Sequence, residues 1–281
     1  MNSLKAILKK IKRERYDFVI IYTDSILLSL PVIYFCKLHK ITVLQERNEF
    51  PIVLYDENFW GKLRAKIFLN IAYRRLDGMI VMTRPLMNFY ARYVSRKCKM
   101  LEMPMTVDSS RFHVDKTPSP YGKHIAYCGN MDDKKDGVTN LIQAFGLFHP
   151  SHPKVKLLII GDTTRLDGFE EIKKESDGIV FYGRANREDI PQLLMNASAL
   201  ALARPRNLQS LGGFPTKVGE YLCTGNPVAV TAVGDLPRFL NAENSFLVEP
   251  DCGTKRKRID HNRLQRKCSS PEFEQLPCEF F

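Results

Sequence analysis

From residue 17 to residue 250, short apolar runs alternate with stretches of helical period, and that order leaves few folds open. Short apolar runs such as 18–22, 157–160 and 199–203, each followed by a helical pattern, are the signature of a parallel sheet wrapped by helices. Parallel neighbours need long crossover connections, usually helical. The pattern predicts strands at 18–22, 41–44, 79–83, 99–103, 124–128, 156–160, 179–182, 199–203, 227–231 and 245–248. It predicts helices near 4–15, 25–38, 59–76, 85–95, 137–148, 169–174, 187–196 and 217–223. An α/β fold with helices wrapped around a parallel sheet follows.

A chain of 281 residues with 44% hydrophobic content is long enough for two such domains. The run from Pro104 to Phe112, followed by the Pro- and Gly-containing stretch 116–122, reads as a linker. The expected division is an N-terminal domain over 1–104, a linker over 105–122, a C-terminal domain over 123–250 and a tail over 251–281. The longest apolar region, 18–35, is broken by Asp24 and Pro31 and parses as a strand and a helix rather than a membrane span. The first sixteen residues carry Lys5, Lys9, Lys10, Lys12, Arg13 and Arg15 without the apolar core of a secretory leader. Seven cysteines without Cys-x-x-Cys spacing point to reduced thiols in the cytoplasm, with neither a disulfide framework nor a metal site. The six histidines show no metal-ligand or triad spacing.

Charge is unevenly placed. Residues 1–104 carry 19 Lys/Arg against 9 Asp/Glu, whereas residues 105–250 carry 16 against 17. A solvated basic surface is one reading of this excess. The other is a peripheral contact with the inner face of an anionic membrane, where each basic residue contributes about 1 kcal/mol. No nucleic-acid-binding motif accompanies the charge, so no nucleic-acid partner is expected.

The segment 213–230, GFPTKVGEYLCTGNPVAV, reads as loop, amphipathic helix, glycine stop and strand. Gly213, Phe214 and Pro215 lead Thr216 and Lys217 into the first turn of the helix, where free N–H groups and the dipole attract phosphate. Glu220, one turn on, is placed to accept hydrogen bonds from a diol such as a ribose; its alternative is a plain helix-face acid.

This segment resembles the C-terminal half of the GT-B glycosyltransferases that use nucleotide-sugar donors, family 4 in particular. The second acid of that family's E-x7-E motif falls on Glu220, while Gly212 stands where the first acid, which touches the donor sugar, is expected. The stretch from Pro104 to Phe112 similarly resembles the family's interdomain segment, with Met105 and Thr106 replacing an Asn-Gly pair. The resemblance implies two Rossmann-like domains. The first is expected to be incomplete, because the chain opens on a basic helix feeding what reads as a middle strand. After Pro250 the pattern gives way to a basic tail over 251–281, read as a disordered interaction segment or a non-native end.

Other candidates follow from the same resemblance. Gly129 closes the 124–128 strand, and the loop beyond it offers Lys135 for the donor diphosphate, or merely a solvated lysine, with Asn130 in place of the usual Arg. Arg204, after the 199–203 strand, is a second candidate cation or a rim salt bridge. Gly183 and Arg184 match the segment that flanks the nucleobase, Arg184 either stacking on the base or facing water. On the acceptor side, 45–51 leaves a strand and is too polar for a core; Glu46 is a candidate contact for acceptor or sugar, or a loop ion paired with Arg47.

The function implied is transfer of a sugar, with retention, from a nucleoside diphosphate donor to the hydroxyl of a glycan or lipid-linked acceptor, with no metal or other cofactor. Lys217, Lys135 and Arg204 would stabilise the departing diphosphate. Two other readings share these residues: a non-catalytic sugar-nucleotide-binding fragment and a GT-B-like sugar-nucleotide epimerase.

Overall fold

The computed structural model describes residues 2–51, 59–166, 168–175 and 177–250; the expectations for residues 251–281 lie outside these. The chain divides into two compact units, one comprising Met1–Pro104 with Leu211–Phe214, the other Met105–Ser210 with the residues from Pro215 onward.

The first unit runs α1 (Asn2–Glu14), β1 (Phe18–Ile21), α2 (Ile26–Leu38), β2 (Thr42–Arg47), α3 (Phe59–Ile67), β3 (Gly78–Val81), α4 (Arg84–Tyr90) and β4 (Lys99–Glu102). Its four strands are parallel and adjacent in chain order, with Ile20 beside Leu44, Leu44 beside Gly78 and Gly78 beside Lys99. The helix expected over 59–76 loosens at Phe68 into a π turn and ends in a 3-10 turn at Arg75. Right-handed crossovers between strands taken in order place every connecting helix on the same face. Ile33, Cys36, Phe68, Leu86 and Tyr90 accordingly share one core with the strand residues Ile21, Val43, Met79 and Val81. The alternate strand residues Phe18, Ile20 and Leu101 remain about half exposed.

The second unit runs β5 (His124–Cys128), α5 (Asp133–Asp136), α6 (Val138–Phe148), β6 (Lys156–Ile160), α7 (Phe169–Glu175), β7 (Ile179–Gly183), α8 (Ile190–Met195), β8 (Ala199–Leu202), α9 (Leu208–Gly212), α10 (Thr216–Cys223), β9 (Val228–Thr231), α11 (Leu236–Phe239) and β10 (Phe246–Val248). The parallel sheet has the order β10-β9-β8-β5-β6-β7. The chain starts in the middle at β5, winds outward through β6 and β7, then returns to β8 on the other side of β5. This doubly wound order creates a crevice outside the carboxyl ends of β5 and β8, where such sheets collect ligands. Burial agrees, since all four residues of β8 are inaccessible, as the continuous apolar run requires.

All ten expected strands are present, and the α/β class with two parallel sheets stands. The largest difference in the strands is β2, which continues through Gln45 and Glu46 to Arg47. Among the described residues no helix is long and apolar enough to cross a membrane.

Candidate functional site

The residues singled out in the second unit gather at the carboxyl ends of β5, β6, β7 and β8 and at the start of α10. β5 delivers Tyr127, Cys128 and Gly129 there, and Asp136 ends the short α5 that follows. Lys217 Nζ lies 2.6 Å from Asp136 Oδ2, and the Tyr127 hydroxyl donates to the same oxygen at 2.9 Å. The Lys217 side chain is 14% exposed and that of Asp136 4%, so this is a buried ion pair rather than a cation held out to solvent. Burial lowers the Lys217 pKa against the opposing pull of Asp136, and burial together with the Asp136 charge raises that of Tyr127. Gly129 makes the arrangement possible: a Cβ there would stand 2.7 Å from Lys217 Cε and 2.5 Å from the Tyr127 oxygen. The space that the missing side chain of Gly129 leaves is taken by the Lys217 side chain.

Arg204 and Lys135 meet through the backbone, Arg204 Nε donating to the Lys135 carbonyl at 2.8 Å. Arg204 is fully buried, not a rim residue, and its charge further depresses the Lys217 pKa. The Lys135 amide is itself held by the Asp132 carboxylate that caps α5.

α10 begins at Thr216, with Pro215 as its buried N-cap and Thr216 exposed. Gly213 and Phe214 pack with the first unit, where the Phe214 amide donates to Met82 Sδ at 3.1 Å and the Gly212 carbonyl accepts from Thr83 Oγ1 at 2.7 Å. Glu220 is half-buried and bonded by Arg111, whose Nη1 lies 3.1 Å from Oε1. Tyr221, one residue further, is fully buried, and its hydroxyl accepts from the Cys128 amide at 2.9 Å, tying α10 to the end of β5.

A cavity of about 400 Å³ opens beyond β5, β6 and β7, lined by Gly129, Asn130, Ile160, Asp162, Arg184 and Ile190 among others. Gly183, at φ +83, ends β7 and turns the chain toward it. Arg184 reaches across to Asp162 at 2.5 Å, and Thr164 donates to the other oxygen of that carboxylate from its hydroxyl at 2.7 Å and its amide at 3.2 Å. These bonds, that from Arg184 foremost, hold the Asp162 pKa at about 2. Arg184 is thus a wall of the cavity with a fixed partner.

Glu46 belongs to the first unit and is corrected in its setting. It sits within β2 opposite Ile80, not in a loop, and Arg47 pairs with Asp24 rather than with it. Gln45 and Arg47, read as too polar for a core, are both buried; the Arg47 guanidinium lies over the rings of Phe68 at 5.0 Å and Tyr73 at 5.5 Å. Asp136, Arg111 and Asp162 are the residues that sequence reasoning did not assign. Only Asp162 carries a local signal, an Asp-Thr-Thr turn directly after a strand and glycine. Among the described residues no group of three or more His, Cys, Asp or Glu is placed to hold a metal ion.

Residues 122–256 match the family model described as glycosyl transferases group 1. Among solved structures, the chain is similar to sucrose-phosphate synthase from Thermosynechococcus elongatus, with TM-score 0.65 and 17% identity over 88% of this chain and 64% of that one. It is similar to Anabaena HepE in complex with UDP-glucose, with TM-score 0.61 and 17% identity over 88% and 68% of the two chains. A glycosyltransferase from Rickettsia africae gives TM-score 0.67 and 18% identity over 89% and 67%. The chain spans about two thirds of the length of these proteins. No curated protein matches it in sequence.

Proposed function

With a group 1 glycosyltransferase domain at residues 122–256 as the premise, we propose that the chain moves a sugar, with retention, from a nucleoside diphosphate donor to the hydroxyl of a glycan or lipid-linked acceptor. The observation that carries this reading is the composition of α10 and its surroundings. The helix opens on Lys217 beside the buried Arg204, presents Glu220 one turn later, and belongs to the same unit as a cavity large enough for a nucleobase. The structure of HepE with UDP-glucose supports the choice of ligand class.

In this reading the α10 N-terminus and Lys217, with Arg204 behind it, stabilise negative charge on the departing diphosphate. Glu220 takes the ribose and the 184–190 region walls the base. Lys217 shares its charge with Asp136 when it meets phosphate, so diphosphate binding re-partitions an existing ion pair. Because fixed cations supply the charge, chelators should leave turnover unchanged. The basic first unit would meet an anionic membrane surface, tested by co-sedimentation with acidic vesicles at low salt and release as salt rises.

Calorimetric titration tests the assignment. Lys217→Ala should weaken binding of nucleoside diphosphates far more than that of nucleosides, since it removes a charge-assisted contact to phosphate. Glu220→Ala should weaken ribonucleotides by roughly 1–3 kcal/mol and leave 2′,3′-dideoxy analogues nearly unaffected. Parallel losses across all ligands would make the helix structural and place the site elsewhere. Product analysis with a panel of sugar nucleotides separates transfer from epimerisation and from binding alone.

A further inference from the structure

Arg111 lies in a 3-10 turn, Ser109–Phe112, whose position is fixed from three sides. Asp108 caps the turn, accepting from the Ser110 amide at 3.1 Å and the Ser110 hydroxyl at 2.6 Å. Phe112 is buried to 4% exposure. Val107 closes on α10 at Gly219, where a Cβ would come within 3.3 Å of it. Glycine next to Glu220 therefore lets the segment lie against the helix at the level of the carboxylate.

The guanidinium that emerges there bridges two elements. Nη1 donates to Glu220 Oε1 at 3.1 Å and Nη2 donates to the Arg187 carbonyl at 2.7 Å. Arg187 lies in the loop whose earlier residues, Arg184 and Ala185, line the cavity beyond β7. One planar fork thus joins the acid on α10 to the wall of the cavity, a geometry that a lysine ammonium cannot reproduce.

We propose that Arg111 is a positioning residue for the nucleotide: it fixes the Glu220 carboxylate for the ribose diol and pins the 184–187 loop that walls the base cavity. The proposal rests on the ribose role of Glu220. A carboxylate has about four acceptor sites, and one strong donor on Oε1 sets its plane while leaving Oε2 for a ligand. Immobilising the side chain before the ligand arrives lowers the entropic cost of binding.

The test is a ratio of affinities. UDP, GDP and ADP are titrated beside their 2′,3′-dideoxy analogues into the full chain and into Arg111→Ala, Arg111→Lys, Arg111→Gln and Glu220→Ala. Removing a charge near the site shifts the ribo and dideoxy ligands together and cancels in the ratio, whereas misplacing the diol acceptor does not. The expected result is a preference for the ribo form in the parent that falls by about tenfold in Arg111→Ala, approaching the Glu220→Ala value. Arg111→Lys should recover the common loss but not the ratio, and Arg111→Gln should recover neither, while thermal unfolding stays close to the parent in all three. An unchanged ratio in Arg111→Ala overturns the positioning role and leaves the ribose assignment standing. A parent with no ribo preference, or one that Glu220→Ala does not alter, overturns the ribose assignment and the proposal with it.

Discussion

Replacing Lys217 by methionine tests the ion pair on which the proposed diphosphate contact depends. The substitution keeps most of the side-chain volume and deletes the cation that lies 2.6 Å from Asp136 Oδ2. What remains is a carboxylate at 4% exposure with the Tyr127 hydroxyl as its remaining donor from that cluster. At this separation the pair attracts by about 6 kcal/mol gross for an effective dielectric of 20. Breaking one side of a buried pair costs about 3–5 kcal/mol. The retained Tyr127 bond and the partial exposure of Lys217 place the expected loss near the lower end, about 3 kcal/mol. Asp136→Asn keeps the shape and an acceptor for Lys217, so it should cost about 1–2 kcal/mol. The double variant has neither charge and should cost about as much as Asp136→Asn alone, giving a coupling of roughly 3 kcal/mol.

The readout must report on the second unit. Trp60, the single tryptophan of the chain, lies in the first, so its fluorescence is uninformative here. Native-state hydrogen exchange of the β5 amides is suitable, because β5 pairs with both β6 and β8 and carries Tyr127. A loss of about 3 kcal/mol appears as roughly a hundredfold drop in protection. If the two single variants add within about 0.5 kcal/mol, Lys217 and Asp136 do not form the buried pair, and the account of a shared cation at the diphosphate fails with it.

Gly219→Ala should place a methyl 3.3 Å from Val107, which must give by a few tenths of an ångström and carry Arg111 with it; the expected outcome is a stability loss of about 1 kcal/mol with a larger proportional loss of ribonucleotide affinity, read by urea unfolding and calorimetry on the same sample. Asp162 should titrate near pH 2 by NMR, and in Arg184→Ala its midpoint should move toward the ordinary value of about 3.9. Because the native value is depressed, the stability this carboxylate contributes is present above pH ~4 and is lost as the pH falls toward 2. A midpoint that ignores Arg184→Ala would show that the pair does not hold in solution.

The strands were legible because their signal is local. A run such as 157–160 is apolar at successive positions, and burial on both faces follows from that alone. The helices α5, α9 and α11 are four or five residues long, too short to display a period, and no pattern marks them. β2 shows the limit from the other side. Gln45 and Arg47 look like loop residues, yet the sheet continues through them because Asp24 and the rings of Phe68 and Tyr73 receive the buried guanidinium. Those partners are distant in sequence, and nothing in the polar run itself announces them.

The same distinction runs through the site and explains its charge. The sequence identifies one member of each pair: Lys217 and Glu220 from the helix start, Arg184 from the family resemblance at the strand end. The opposite member comes from elsewhere in the chain, Asp136 for Lys217, Arg111 for Glu220 and Asp162 for Arg184. A sequence reading that counts cations therefore overstates the field at the crevice, since residues 105–250 are close to neutral as a whole. In the proposed reading, affinity for a diphosphate arises at short range, from the α10 N-terminus and from an ion pair that can accept a third charged partner, rather than from steering by net charge. Pairing each functional group in advance also fixes its geometry, and a group already oriented is the kind that stabilises a charged transition state without reorganising when the bond breaks.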